Sequence, residues 1–189
     1  MHYSNIKYVD IANGPGIRTT LFVSGCRRYC EQCFNPETWD FNHGDEFTGE
    51  VADKVLDSLA PSHVDGLTLL GGEPFEPGNQ PSVLDLVCRV RERYGSSKTI
   101  WAFSGFTFEE LTGIEQPHIC SPCNPMTDST DAILDFIDVL VDGPFVNRLK
   151  DLSLRFRGSS NQRILDVPAS LAAGHAVLWE DDEIFCHGR

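Results

Sequence analysis

The chain has 189 residues, 41% of them hydrophobic, which is enough for one domain with a core. Its formal net charge of −13 argues against a nucleic-acid-binding protein, because phosphate backbones attract a basic face. The sequence has no run of eighteen apolar residues, the length needed to cross a membrane. Residues 1–7 are too polar for a signal peptide, so we expect a cytoplasmic protein.

Apolar runs alternate along the chain with amphipathic stretches of helical periodicity. The predicted strands are 19–24, 66–70, 99–103, 139–142 and 163–166. The predicted helices are 50–59, 81–94, 108–111 and 131–136. Strands that alternate with helices favour parallel pairing through right-handed crossovers. Because a complete eight-stranded barrel needs about 250 residues, the sequence predicts an α/β fold with an incomplete, open parallel β/α barrel.

The residues with the most distinctive chemistry follow the ends of the predicted strands. Cysteines follow the first strand, and Gly71-Gly72-Glu73-Pro74 follows the second. Ser104-Gly105 follows the third strand, and Asp142-Gly143 closes the fourth. Active sites of parallel α/β folds lie at the carboxyl edge of the sheet, so we expect one site to gather these segments.

The first of these segments is a cysteine triplet with the spacing C-x3-C-x2-C. Cys26, Cys30 and Cys33 are spaced to hold three irons of a cubane [4Fe-4S] cluster, and no fourth cysteine follows nearby. The fourth iron would then be open to a substrate, whereas four-cysteine electron carriers close that position. A zinc loop, which would also want a fourth ligand, and incidental buried cysteines are the alternatives. An odd total of seven cysteines indicates metal chemistry in a reducing cytosol rather than a disulfide framework.

The segment Gly71-Gly72-Glu73-Pro74 is a weak signal alone and a stronger one after the triplet. Two glycines after a strand let the backbone approach a ligand closely, and Glu73 can accept a hydrogen bond from a ligand ammonium group. By itself the segment is better explained as an ordinary strand-to-loop turn. It follows the triplet by about forty residues, directly after the next strand, and so indicates a cofactor site.

The triplet and the Gly71–Pro74 segment together resemble the radical S-adenosylmethionine superfamily. Residues 13–19, Asn-Gly-Pro-Gly-Ile-Arg-Thr, resemble the opening of glycyl-radical-enzyme activases. Three later segments resemble the activases of anaerobic ribonucleoside-triphosphate reductase: 101–106, 139–145 and 157–162. The resemblance covers roughly residues 3–166. We therefore expect an activase domain at 1–166, with an insertion loop at 113–131, and a C-terminal extension at 167–189.

The resemblance implies a [4Fe-4S] cluster held by Cys26, Cys30 and Cys33, with S-adenosylmethionine bound to the open iron by its amino and carboxylate groups. It also implies contacts to that cofactor from Gln32, Cys33, Phe34, Gly71, Gly72 and Glu73. Ser104 and Asp142 are further candidates for the cofactor or a cation, with a strand-end cap as the alternative. Adenine stacking is unassigned; Phe34 or Trp39 could contribute, although aromatic residues more often simply pack.

The function that the resemblance implies is activation of anaerobic ribonucleoside-triphosphate reductase. An external donor, typically a flavodoxin in this family, reduces the cluster. The cofactor is cleaved to methionine and a 5′-deoxyadenosyl radical, which takes hydrogen from a glycine of the reductase. The alternatives are an activase of another glycyl radical enzyme, such as pyruvate formate-lyase, and a radical enzyme acting on a small molecule. Two further alternatives belong to other classes of protein: an electron-transfer iron–sulfur protein and a zinc-dependent interaction module.

Other cysteines carry weaker signals. Cys120 and Cys123 have metal-ligand spacing within the expected insertion, and His118 lies close to them in sequence. A lone C-x2-C is weak, so a surface loop with ordinary thiols is favoured over a second metal or a redox pair. Cys88 falls on the apolar face of a predicted helix, where we expect it to be buried as a small hydrophobic residue.

Overall fold

A computed structural model describes residues 1–116 and 123–180. The strands within them are β1 His2–Asp10, β2 Arg18–Val23, β3 Asp45–Glu46, β4 Gly66–Gly71, β5 Thr99–Phe103, β6 Val139–Asp142 and β7 Arg163–Asp166. The α-helices are α1 Gly49–Ser58, α2 Gln80–Tyr94, α3 Phe108–Leu111, α4 Thr130–Phe136 and α5 Val167–Ala173. Short 3-10 helices lie at Pro36–Trp39, Gly95–Ser97 and Asn147–Leu149. None of the helices in this part of the chain has the length and apolar character to span a bilayer.

The seven strands form one mixed sheet in the order β3-β1-β2-β4-β5-β6-β7. The four central strands β2, β4, β5 and β6 are parallel, whereas β1, β3 and β7 pair antiparallel with their neighbours. The α/β class is confirmed, but the expectation of an all-parallel sheet is wrong at both edges. The connections explain this, because parallel neighbours need a crossover. Residues 11–17 and 143–162 join antiparallel strands and contain no α-helix.

The two faces of the sheet bury different side chains because successive strand residues point to opposite sides. One face packs against α1, α2 and α4 and forms the large apolar core, which includes Leu69, Ala102 and Leu140. The other face carries a smaller cluster: Trp101, Val139 and Val141, with Phe103, Phe156, Ile164 and Trp179 packed against it. This second face lies beneath the candidate site.

A buried arginine joins the amino ends of three central strands. Arg18 of β2 is fully buried and donates hydrogen bonds to Thr68 Oγ1 (2.7 Å), Leu67 O (2.7 Å) and Thr99 Oγ1 (2.9 Å). Burial lowers the pKa of its guanidinium to about 10, so the side chain stays charged at neutral pH. Residues 13–19 therefore lie around a buried polar network that fixes the register of the sheet.

Three elements lie outside the sequence prediction: β1, β3 and α5. The sequence of β1 alternates poorly, and its Tyr8 and Val9 are exposed. Helix α5 does carry end signals, since Asp166 caps its first turn by accepting from Ala169 N, and Gly174 ends it in a left-handed conformation. Its sequence, Val-Pro-Ala-Ser-Leu-Ala-Ala, consists mostly of small residues, with only Val167 and Ser170 buried, so it shows no clear apolar period.

Candidate active site at the carboxyl edge of the sheet

A cavity of about 610 Å³ opens where the central parallel strands end. Most of the predicted site residues line it: Cys26, Cys30, Cys33, Phe34, Gly71, Gly72, Glu73 and Ser104. Gln32 and Asp142 are not among its lining residues. The segments that follow β2, β4 and β5 therefore meet in one place, as expected for the carboxyl edge of parallel strands.

The cysteine loop directs backbone donors toward its own sulfurs. Each of the three sulfurs accepts a hydrogen bond from a backbone N–H: Cys26 from Arg28, Cys30 from Phe145 and Cys33 from Asn35 (3.4 Å). Burial raises the pKa of the Cys26 and Cys30 thiols above the ordinary value. The N–H donors act in the opposite direction, because hydrogen bonds to a thiolate stabilise its charge. A cationic metal group would complete that stabilisation.

The three thiols line one cavity and do not converge on a single point. Within residues 1–116 and 123–180, no three His, Cys, Asp or Glu side chains converge closely enough to hold one metal ion. A cubane distributes its protein ligands over separate irons, so thiols spread around a cavity could hold one. Cys26, Cys30 and Cys33 are the cysteines among the described lining residues.

Gly71 and Gly72 hold the Gly71–Pro74 segment in close contact with β2 and with Gly25, the residue before the first cysteine. Gly71 has φ +110°, and a Cβ there would lie 2.8 Å from Phe22 Cα. A Cβ on Gly72 would lie 2.7 Å from Gly25 O, next to the first cysteine. Backbone hydrogen bonds from Gly72 N to Val23 O (2.7 Å) and from Glu73 N to Gly25 O (3.0 Å) hold the two segments in this close contact. The two glycines are therefore needed for packing as well as for room beside a ligand.

Glu73 is a carboxylate held almost entirely inside the protein, with 1% of its surface exposed. Its Oε1 accepts hydrogen bonds from Phe75 N (3.0 Å) and Ser104 Oγ (3.0 Å), and its Oε2 accepts one from Gly105 N (2.7 Å). Burial raises the pKa of Glu73 to about 7, although these donors and the nearby Arg28 lower it. Such a carboxylate gains from a cationic ligand, because the ligand charge offsets the loss of water.

The remaining predicted residues take different positions. Ser104 lines the cavity and links Glu73 to Phe106 N, which donates to its hydroxyl (3.0 Å). Asp142 is buried outside the cavity, where it accepts from Phe108 N (2.8 Å) and Arg163 Nε (3.0 Å). Asp142 also lines a second cavity of about 360 Å³. Gln32 lies in an exposed turn with φ +55°.

Several lining residues were not among the predicted site residues. Phe145 and Phe156 come from the long connection between β6 and β7, as do Gly158 and Gln162. Gln162 Oε1 accepts from Gly158 N (2.9 Å), and Gln162 Nε2 donates to Gly143 O (3.2 Å), so this connection folds back over β6. The sequence signal for this connection was the pair of segments at 139–145 and 157–162, which resemble the activases and include Phe145, Gly158 and Gln162. Phe156 gave no comparable signal.

Cys88 and Cys123 are described by the structure and do not line the cavity. Cys120 and His118 fall outside the described residues, so the preference for a surface loop over a second metal or a redox pair stays a prediction. Cys123 Sγ donates to Glu76 Oε2 (3.6 Å), and the same carboxylate pairs with Arg27 (2.6 Å). Burial raises the pKa of the Cys123 thiol to about 11. Cys88 is only partly buried on α2, so the expectation that it is a core residue is wrong: it lies at the margin of the helix's apolar face.

Comparison with known proteins identifies the family. A family model described as a 4Fe-4S single cluster domain matches residues 12–165. The anaerobic ribonucleoside-triphosphate reductase-activating protein of Vibrio cholerae is 40% identical over 166 residues, which cover 87% of this chain and 97% of that protein. The protein of the same name from Escherichia coli K12 is 41% identical over 164 residues, covering 86% of this chain and 96% of the relative.

The chain belongs to the family of anaerobic ribonucleoside-triphosphate reductase-activating proteins. A phage member of this activating-protein family, from Enterobacteria phage T4, is 35% identical over 87% of this chain and 93% of its own length. The resemblance inferred from the sequence is thereby confirmed. The span matched by the 4Fe-4S domain contains the triplet and the Gly71-Gly72-Glu73 segment, both of which line the cavity described above.

Proposed function

We propose that this chain activates anaerobic ribonucleoside-triphosphate reductase by generating a glycyl radical on it. The observation that carries the proposal is the meeting of three thiols with Gly71-Gly72-Glu73 on the wall of one cavity. Relatives that match over nearly their whole length are named as activating proteins of that reductase. A [4Fe-4S] cluster and S-adenosylmethionine are the cofactors that this arrangement fits.

Cys26, Cys30 and Cys33 would hold the cluster, and the chain leaves one iron for S-adenosylmethionine. When bound, the two cofactors supply one-electron cleavage of the sulfonium C–S bond, which yields methionine and a 5′-deoxyadenosyl radical that takes a hydrogen atom from glycine. The protein supplies position, exclusion of water and charge. Cys33 and Phe34, which line the cavity, would lie along the cofactor on its triplet side. A contact from Gln32 stays a prediction, because this residue is exposed and does not line the cavity.

Gly71, Gly72 and Glu73 would bind the methionine part of the cofactor. The two glycines leave backbone uncovered at the cavity wall, and Glu73 presents a buried carboxylate there. Glu73 would accept a hydrogen bond from the N–H of the cofactor's amino group, a charge-assisted contact that is strong in a dry site. Ser104 would orient that carboxylate through its bond to Oε1 (3.0 Å). The contacts of Asp142 support a strand-end cap, because Phe108 N donates to it at the start of α3.

The target glycine would reach the cavity through its mouth. Exposed apolar side chains of Phe34 and Leu152 lie there, which suits contact with another protein. We take the sheet to be curved as an open barrel, since a loop of a large reductase needs an uncovered entrance. A flavodoxin-like protein would deliver the electron, and a cytoplasmic location would keep both the thiols and the cluster reduced.

The proposal is tested by measuring whether a Cys30→Ala variant can activate the reductase under anaerobic conditions. The variant should lose cluster assembly and reduce glycyl radical formation by about a thousandfold or more, because one iron ligand is missing. Iron and sulfide analysis measures the cluster, and electron paramagnetic resonance measures the radical on the reductase. Cys88→Ala, a thiol outside the cavity, is the matched control and should behave as the unaltered protein. Full activation by Cys30→Ala would refute the assignment.

A second protein substrate distinguishes this function from the nearest alternative, activation of pyruvate formate-lyase. The same assay with pyruvate formate-lyase in place of the reductase should yield no radical. A radical on pyruvate formate-lyase and none on the reductase would favour the alternative activase.

A further inference from the structure

Arg28 lies between the first two cysteines of the triplet and lines the 610 Å³ cavity. Its side chain reaches across to the segment that follows β5. There the guanidinium carbon lies over the ring of Phe106, 4.7 Å from the ring centroid, and that ring is fully buried. Because a guanidinium is attracted to the face of an aromatic ring, this contact holds the charge of Arg28 at the cavity wall.

Gly105 lets the guanidinium of Arg28 come close to the carboxylate of Glu73. A Cβ on Gly105 would lie 3.1 Å from Arg28 Nε and 3.4 Å from Glu73 Oε2, so both atoms border the space that glycine leaves empty. Burial raises the pKa of Glu73 and of the Cys30 thiol, and the positive charge of Arg28 opposes the rise in both. A cation therefore lies near a buried carboxylate and near one thiol of the triplet.

This pair of charges matches the head group of an α-amino acid. The methionine part of S-adenosylmethionine carries an amino group and a carboxylate on one carbon. Glu73 offers only acceptor oxygens when it is ionised, so it suits the amino N–H and would repel the carboxylate. A guanidinium has five N–H donors in a planar fork, so it can bind a carboxylate and still serve other acceptors.

We propose that the guanidinium of Arg28 donates hydrogen bonds to the carboxylate of S-adenosylmethionine while Glu73 accepts from its amino group. The inference rests on the proposed function, because it takes this cofactor to occupy the cavity. A carboxylate that gives one oxygen to the open iron keeps the other for Arg28. The site would then select its ligand by the carboxylate as well as by the amino group and the sulfonium.

Equilibrium dialysis with two ligands tests the contact. The cluster-loaded protein is kept anaerobic and without reductant, so that bound cofactor is not cleaved. Arg28→Gln should bind S-adenosylmethionine about tenfold more weakly, because a hydrogen bond between charged groups contributes about that factor. Its affinity for decarboxylated S-adenosylmethionine should stay within about twofold of that of the unaltered protein, because this ligand lacks the group that Arg28 binds.

Two further variants separate the contact from a general loss of charge. Arg155→Gln is the matched control, since Arg155 also lies over an aromatic ring, that of Phe156 at 4.8 Å, but does not line the cavity. It should bind both ligands within about twofold of the unaltered protein. Arg28→Lys keeps the charge and loses the planar fork, so we expect about a threefold loss for S-adenosylmethionine and none for the decarboxylated ligand.

Equal losses for the two ligands in Arg28→Gln, or no loss for either, would overturn the inference and leave the proposed function intact. An unaltered protein that takes up the cluster and does not bind S-adenosylmethionine would overturn both. If Arg28→Gln takes up no cluster, the same comparison of ligands with Arg28→Lys decides. If the decarboxylated ligand binds too weakly to measure, a tenfold loss for S-adenosylmethionine in Arg28→Gln beside unchanged Arg155→Gln supports the inference, and equal affinities overturn it.

Discussion

At the scale of single residues, Glu73 gives the site a pH dependence. Burial raises the pKa of Glu73 to about 7, so its contribution to stability is full below the ordinary value of 4.5 and is lost as pH rises through about 7. Binding of a cationic cofactor has the opposite sign, because the ionised carboxylate attracts the sulfonium charge and is a stronger hydrogen-bond acceptor for the cofactor's amino N–H. The affinity of the protein for S-adenosylmethionine should therefore fall as the solution is acidified below about pH 7.

We predict that the affinity of the cluster-loaded protein for S-adenosylmethionine weakens by up to about tenfold between about pH 8 and pH 6. Equilibrium dialysis with labelled cofactor measures this. Glu73→Gln should bind more weakly at about pH 8 and show a flatter profile, because it no longer titrates. Glu109→Gln is the matched control, since Glu109 pairs with Arg163 outside this cavity. Equal slopes for Glu73→Gln and the unaltered protein would contradict the role of Glu73.

Residues that follow strand ends could be located from the sequence, and residues on long connections could not. Glu73 and Ser104 come one or two positions after apolar strands, so the edge of a parallel sheet brings them together. Phe145 and Phe156 reach the cavity because residues 143–162 fold back over the sheet, and no periodic pattern encodes that path. Phe34 and Trp39, named from the sequence as candidates for adenine stacking, both line the cavity.

At the scale of elements, strands buried on both faces were the easiest to predict. β5, β6 and β7 have the predicted bounds, and β2 and β4 differ by one residue at their ends. The apolar runs of β5 and β6 are continuous because helices cover one face and the second cluster covers the other, whereas β7 is only partly buried. β1 escaped prediction because much of it is exposed, so its side chains show little apolar preference. The antiparallel direction of β7 depends on a connection without an α-helix, which strand patterns do not reveal.

The connection between β6 and β7 also forms one side of the cavity mouth. Leu152 on this connection is 82% exposed and lines the cavity, beside Leu154 and Arg157. Lys150 lies over the ring of Phe34 at 5.0 Å, so cationic and apolar groups alternate around the opening. An exposed leucine at the entrance of a site that receives a protein loop is expected to be covered on docking.

We predict that Leu152→Asp lowers the rate of glycyl radical formation on the reductase by about tenfold, because it places a charge in an apolar contact. Cleavage of S-adenosylmethionine without the reductase should stay within about twofold of normal, since Leu152 is not needed to hold a cofactor. Spin counting and chromatography of 5′-deoxyadenosine measure the two rates. Leu178→Asp, at a position 65% exposed and outside the cavity lining, is the control. Equal loss of both rates would place Leu152 in the cofactor site instead.

At the scale of the whole molecule, the described residues after Asp166 pack on the sheet. Val167 is buried and its N–H donates to Asp138 O (3.0 Å). Asp166 N donates to Val177 O (3.0 Å), and Trp179 N donates to Ile164 O (2.9 Å), which returns the chain along β7. The Trp179 ring then packs edge-on against buried Trp101, with ring centroids 5.1 Å apart. A domain boundary at residue 166 remains a prediction, but these contacts tie residues 167–180 to both faces of the sheet: Val167 belongs to the large core and Trp179 packs on the second cluster.

We predict that Trp179→Ala destabilises the cluster-free protein by about 2–3 kcal/mol, somewhat less than for a fully buried tryptophan, because Trp179 is partly exposed. Its loss would uncover Trp101 and the small cluster beneath the cavity, so the urea midpoint should fall without a large change in slope. Leu178→Ala removes the neighbouring, mostly exposed side chain and should change stability by no more than about 0.5 kcal/mol. Anaerobic urea titrations followed by circular dichroism compare the two variants. Coincident midpoints for Trp179→Ala and the unaltered protein would show that residues 167–180 do not support the sheet.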